Sequence, residues 1–143
     1  MATIIQFNTE KKLKKIFFTL LVLLGVSLSA SVSDEYPSQE ILDNKTPIVD
    51  IRTSGEWKES GLLKGAIPIT FFDEKGGYNV EAFIAELNKK VDTKKPFALI
   101  CRTGSRTTMV ANFLSKEFDY KIINLQGGMM FVQGKKLPIL PYK

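Results

Sequence analysis

Three short apolar runs, separated by stretches of helical periodicity, set the limits on how this chain can fold. Ile48-Val49-Asp50-Ile51 lies between Pro47 and Arg52, Phe97-Ala98-Leu99-Ile100 follows Pro96, and Ile122-Ile123-Asn124-Leu125 precedes a Gly127-Gly128 pair. Runs this short and this apolar read as buried strands. Between and after them, Val80, Phe83, Ile84, Leu87 and Val91 recur at the spacing of one helix face. Met109, Val110, Phe113, Leu114 and Phe118 do the same. Strands that alternate with helices form a parallel sheet, because the crossover between parallel strands needs a helix to cover a face. The expected fold class is therefore α/β, a small parallel sheet with helices on both faces.

The remaining segments fit around that frame. Ser38 suits the N-cap of a short helix starting near Gln39. Ala66 to Phe72 reads as extended, with Pro68 confining it to an edge. Asp73 to Asn79, containing Gly76-Gly77, reads as a turn, and Gly127-Gly128 opens a last short helix. Residues 31–37 read as a linker and residues 38–140 as one domain. The 143-residue chain has no room for a second domain of equal size.

Open parallel sheets take their ligands beyond the carboxyl ends of the strands. Cys101 stands there, directly after the strand ending at Ile100 and before a helix. It is the single cysteine of a chain with no histidine. That composition rules out an internal disulfide, a four-ligand Cys/His zinc site and any catalytic set that needs histidine. A lone thiol, carboxylates, hydroxyls, basic side chains and backbone groups are what remain for chemistry.

The loop Cys101-Arg102-Thr103-Gly104-Ser105-Arg106-Thr107 assembles groups that suit a reactive thiolate. The unpaired amides at a helix N-terminus favour a negative sulfur. Arg102 and Arg106 add full positive charges. Gly104 permits a tight turn and lets successive amides point inward as an anion nest. Thr103, Ser105 and Thr107 supply hydroxyl donors or caps.

This loop resembles the active-site loop of the rhodanese family, and three further segments resemble that family in order and spacing. They are Val49-Asp50-Ile51-Arg52 with Glu56-Trp57, then Gly61-Leu62-Leu63-Lys64-Gly65-Ala66-Ile67-Pro68, then Leu125-Gln126-Gly127-Gly128 with Leu137-Pro138. Leu62 stands where the family pattern has histidine, and the tryptophan common after the double glycine is replaced near Val132.

The resemblance implies a rhodanese-like fold and a sulfurtransferase that moves sulfane sulfur from thiosulfate or a related donor through a Cys101 persulfide. It implies Cys101 as the catalytic residue, with Arg102, Thr103, Gly104, Ser105 and Arg106 binding the donor. Asp50, Arg52 and Glu56 would form a supporting polar cluster. It implies no metal and no organic cofactor. The expected partners are a small anionic donor and a thiol or cyanide acceptor, with a protein acceptor also open. Two alternatives stand beside it: a persulfide carrier with a dedicated protein partner, and a cysteine phosphatase of related fold. The phosphatase loop has five residues between cysteine and arginine, whereas Cys101 and Arg106 enclose four.

The net charge of +5 is concentrated at the start of the chain. Lys11, Lys12, Lys14 and Lys15 against Glu10 give the first 30 residues +3, leaving +2 for the rest. With no basic stripe or stacking platform, no nucleic-acid partner is expected. The basic cluster, the apolar run Ile16 to Val26 and Ser27-Leu28-Ser29-Ala30-Ser31 form the pattern of a secretory signal peptide. The uncharged stretch from Ile16 to Ser33 has 18 residues, so an uncleaved anchor is the alternative, and the membrane a partner only in that case. The expected location is periplasmic or secreted. A mature chain beginning between Ala30 and Ser33 is predicted on N-terminal sequencing of protein from an exporting bacterial host. A full-length, membrane-embedded product would show an anchor instead.

Overall fold

The structure is a computed structural model that describes residues 31–143; the expected leader, residues 1–30, lies outside the described residues. The described elements run in chain order as β1 (Ser31–Glu35), α1 (Gln39–Asp43), β2 (Ile48–Asp50), α2 (Ser54–Ser60), β3 (Leu62–Leu63), β4 (Ile67–Pro68), α3 (Val80–Lys90), β5 (Phe97–Ile100), α4 (Ser105–Phe118), β6 (Lys121–Leu125), α5 (Gly128–Gly134) and β7 (Ile139–Leu140). Five strands form one sheet in the order β1-β6-β5-β2-β4, and every neighbouring pair is parallel. The expected fold class is the observed one.

Side-chain alternation divides the central strands between two apolar layers. Phe97 and Leu99 of β5, with Val49 of β2, pack with Phe83 and Leu87 of α3 and with Val110 and Leu114 of α4. Ala98 and Ile100 point the other way, joining Ile41 of α1 and Met129 and Val132 of α5. Helix α3 buries Phe83 and Leu87 of the expected stripe, whereas α4 buries Val110 and Leu114 together with Thr107, Ala111 and Ser115, and leaves Met109, Phe113 and Phe118 of the expected stripe exposed. Helix starts are marked as the composition suggests: Ser38 caps α1 by accepting from the Ile41 amide, and Asn79 caps α3 by accepting from the Ala82 amide. Pro68 sits on the edge strand β4, where no amide is required of it on the open side.

Two parts of the fold differ from expectation. Residues 31–37, expected as a linker, begin with strand β1, which pairs along its length with β6 from Ser31↔Lys121 to Glu35↔Leu125. Its side chains are almost all exposed, so no apolar alternation betrays it, and its hold on the sheet is mainly through backbone hydrogen bonds. Residues 54–60, given no element from the sequence, form α2. Among its residues only Trp57 is buried, so it lacks an apolar stripe. A small antiparallel pair, β3 with β7, returns the end of the chain beside Leu62 and Leu63. Among the described residues no helix is long and apolar enough to cross a membrane.

Because all five strands run the same way, the segments after β2, β5 and β6 emerge at one end of the sheet. Those segments begin at Ile51, Cys101 and Gln126, and they build the site.

Candidate active site

The four residues after β5, Cys101 to Gly104, turn directly into α4. Cys101 closes the β5 alternation and is fully buried, so its side chain lies under the loop rather than on it. Gly104 is the N-cap of α4, at φ +98, a backbone region that disfavours any side chain. From there its N–H donates to Cys101 Sγ at 3.1 Å. The Thr107 hydroxyl lies 3.7 Å from the same sulfur. No side chain caps this helix, so the orphan amides of its first turn have no capping partner. The sulfur thus sits at the positive end of a fourteen-residue helix.

Arg102, Thr103 and Ser105 form the exposed rim. The Thr103 and Ser105 hydroxyls lie 3.2 Å apart. Arg102 lines a cleft of about 230 Å³ together with Glu59, Ser60, Met130 and Gln133. A larger cleft of about 600 Å³ lies between residues 68–73 and α3, but it contains no thiol and is not lined by the Cys101 loop.

Arg106, expected beside Arg102 as a ligand for an anionic donor, instead engages Glu56 with both Nη atoms, at 2.8 and 2.6 Å. Glu56 is the third residue of α2. Its carboxylate also accepts from the Thr53 amide, while the Thr53 hydroxyl accepts from the Glu56 amide, a complete capping box. The Arg106 hydrogen bonds, with help from Thr53, hold the Glu56 carboxyl down at about 2, against an ordinary 4.5. Arg106 is held more firmly protonated by Glu56 and, from further away, by Cys101.

Asp50 and Arg52 are both buried at the end of β2 and pair at 2.8 Å. The Arg52 guanidinium also donates to the Ser60 hydroxyl and the Gly61 carbonyl, each at 2.6 Å. The pair therefore ties β2 to the end of α2, and α2 carries Glu56 to Arg106. The three expected supporting residues are brought together, but as two linked pairs rather than around the sulfur.

The other side of the loop is held by α5. Its first amides, those of Met129 and Met130, donate to the carbonyls of Cys101 and Arg102 at 2.9 and 3.0 Å. Backbone meets backbone here, and Gly128 is what allows it. A Cβ on Gly128 would fall 2.7 Å from the Arg102 carbonyl oxygen, and its φ of +55 already disfavours a side chain. Sequence reasoning missed these amide clamps, because amides leave no residue-type signature. It also missed α2, for which the Thr53-Ser54-Gly55-Glu56 pattern was a usable signal.

Two outcomes follow. Glu56 has a folded-state carboxyl lowered from 4.5 to about 2, so its pairing stabilises the fold above pH 4.5 and that contribution is lost as pH falls through 2. Glu56→Gln is therefore expected to lose stability at neutral pH and to show a shallower acid limb between those values in urea titrations. An unchanged limb would refute the coupling. Gly128→Ala is expected to cost about 2–4 kcal/mol from backbone strain and overlap. Gly134→Ala, where a Cβ meets nothing within 4 Å, should stay within about 0.5 kcal/mol. Equal urea midpoints for the two variants would show that the close approach is not needed.

The rhodanese-like domain family matches the chain over residues 36–134. RP600 of Rickettsia prowazekii is 36% identical over 91 residues, covering 62% of this chain and 72% of that protein. YtwF of Bacillus subtilis, which carries a sulfurtransferase name, is 29% identical over 96 residues, covering 67% and 82%. Among solved structures, the polysulfide-sulfur transferase homodimer of Wolinella succinogenes superposes with a TM-score of 0.58 at 21% identity, covering 78% of this chain and 80% of that one. With four motifs in register, a cysteine loop at the carboxyl end of a parallel sheet and a family match over most of its length, the chain belongs to the rhodanese-like domain family of sulfurtransferase-type proteins.

Proposed function

We propose that this protein is an exported sulfurtransferase that takes sulfane sulfur from thiosulfate or a related anionic donor onto Cys101 and passes it to a thiol or cyanide. The observation that carries this reading is the Gly104 N–H aimed at Cys101 Sγ from the uncapped start of α4. A cysteine that only filled the core would have no use for a backbone donor in an anion-favouring position.

The Cys101 thiolate attacks the outer sulfur of thiosulfate. A new S–S bond forms, the donor's own S–S bond breaks, and sulfite leaves with the electron pair. The acceptor thiolate then attacks the terminal sulfur of the persulfide, forming an acceptor persulfide and returning the Cys101 thiolate. With cyanide the product is thiocyanate. The sulfur is transferred without net oxidation, so no outside oxidant is required. Splitting the transfer in two is covalent catalysis.

Arg102 is the cation on the exposed rim, and it has the geometry to meet the donor's anionic end. Thr103 and Ser105 add hydroxyl donors on the same rim. The free amides of the first turn of α4 suit the terminal sulfur of the persulfide. Arg106, its guanidinium held by Glu56, fixes the first turn of α4 instead of meeting the donor. That pairing also disfavours the phosphatase reading, since a phosphate cradle needs an arginine facing inward and a longer ring.

The test is intact-mass measurement of the protein after thiosulfate. A gain of one sulfur, reversed by cyanide or a thiol, is expected for the wild type. Cys101→Ser should fold, show no gain, and lose essentially all sulfur transfer, because a serine hydroxyl cannot form a persulfide near neutral pH. Sulfur transfer persisting in a folded Cys101→Ser protein would refute the reading.

A further inference from the structure

Asn124 has no place in the chemistry above, yet it is fully buried on β6. Its Nδ2 donates to Asp34 Oδ1 at 2.8 Å and to Thr108 Oγ1 at 3.0 Å. Its Oδ1 is buried with no hydrogen-bond partner among the described residues. A buried, unpartnered acceptor destabilises a fold, and a leucine of similar size would avoid it. Stability alone does not favour asparagine here. What asparagine provides is a donor with two hydrogens. The Asp34 carboxylate accepts only, and so sets which way the amide faces.

The second hydrogen decides what Thr108 can do. Thr108 Oγ1 accepts from Asn124, so its one proton is directed elsewhere, to the Gly104 carbonyl at 2.9 Å. Thr107 Oγ1 donates to the same carbonyl at 3.0 Å and lies 3.7 Å from Cys101 Sγ. Thr107 has one proton and cannot serve both acceptors. Where the sulfur is anionic, the Thr107 proton is wanted there. Gly104 O then keeps two partners, the Thr108 hydroxyl and the Thr108 N–H, which donates to it at 3.0 Å.

We propose that Asn124 is a positioning residue that acts through Thr108. It fixes the Gly104 carbonyl, keeps the Gly104 N–H aimed at Cys101, and releases the Thr107 hydroxyl to donate to the sulfur as thiolate or persulfide. Asp34 of β1 sets the orientation of the Asn124 amide, which brings the first described strand into the support of the site. This rests on the sulfur-transfer reading for its effect on turnover, but not for its effect on the loop.

The experiment compares Thr108→Val, Thr108→Ser, Asn124→Leu and the Thr108→Val/Asn124→Leu double variant with the wild type, in the full mature chain. Amide exchange of Gly104 is followed by NMR, and thiosulfate:cyanide turnover is measured in parallel. Thr108→Val is expected to exchange the Gly104 amide about tenfold faster and to lower kcat about tenfold, with KM for thiosulfate within about twofold. Thr108→Ser should restore both readouts. The double variant should be no worse than the poorer single variant, since both substitutions break one route.

Wild-type exchange and kcat in Thr108→Val would overturn the proposal, as would equal impairment in Thr108→Ser or losses that multiply in the double variant. Should Asn124→Leu fail to fold, the two Thr108 variants still decide. Absence of sulfur transfer in the wild type would count against the reading in the preceding subsection alone, while amide exchange would still decide the network.

Discussion

A guanidinium inside a protein must be neutralised where it stands, and the buried charge of Arg52 organises one side of this molecule. Removed from water, it needs a carboxylate and acceptors for its remaining hydrogens. Asp50, two residues back on the same strand end, supplies the carboxylate, and Ser60 and Gly61 supply acceptors from the end of α2. Those contacts set where α2 lies. Once α2 is placed, Glu56 reaches Arg106 fifty residues further along the chain, and the first turn of α4 is tied down. A pair that makes no contact with the sulfur therefore determines the seating of the helix whose N-terminus faces it.

The loop is held from three directions by three kinds of contact. The Arg106–Glu56 ion pair ties it to α2. The first amides of α5 grip the carbonyls of Cys101 and Arg102, through a backbone approach that only glycine at position 128 permits. The Asn124–Thr108 hydrogen bonds reach it from β6. A group that must present its amides inward to an anion cannot leave them free to rotate. Fixing dipoles in advance is what lets them act without reorganising during the reaction.

This arrangement also distributes charge. Two of the three nearby arginines are paired: Arg52 with Asp50 and Arg106 with Glu56. Arg102 stays on the exposed rim, and the helix amides provide the rest of the positive potential. One cation thus stands exposed at the surface, with the helix dipole below it.

Much of the fold was legible in the sequence because its signals are local. The apolar runs at 48–51, 97–100 and 122–125 read as buried strands, and the periodic segments at 80–91 and 109–118 read as the helices that cover them. Cys101, the one thiol of the chain, stands between a strand and a helix, and that position together with the flanking arginines, Gly104 and the family motifs marks the candidate site. What could not be read depends on which distant groups meet. Strand β1 has polar, exposed side chains and is recruited by backbone pairing with β6, which leaves no mark in residue type. Arg106 reads as a free cation until α2 brings Glu56 to it. Asn124 reads as one polar residue in a strand until Asp34, 90 residues away, and Thr108 converge on its amide. Periodicity and turn chemistry are properties of neighbours along the chain, so sequence alone determined the three central strands, the two long helices and the loop. Charge pairing and hydrogen-bond direction are properties of neighbours in space, so only the tertiary structure decided how the loop around Cys101 is held.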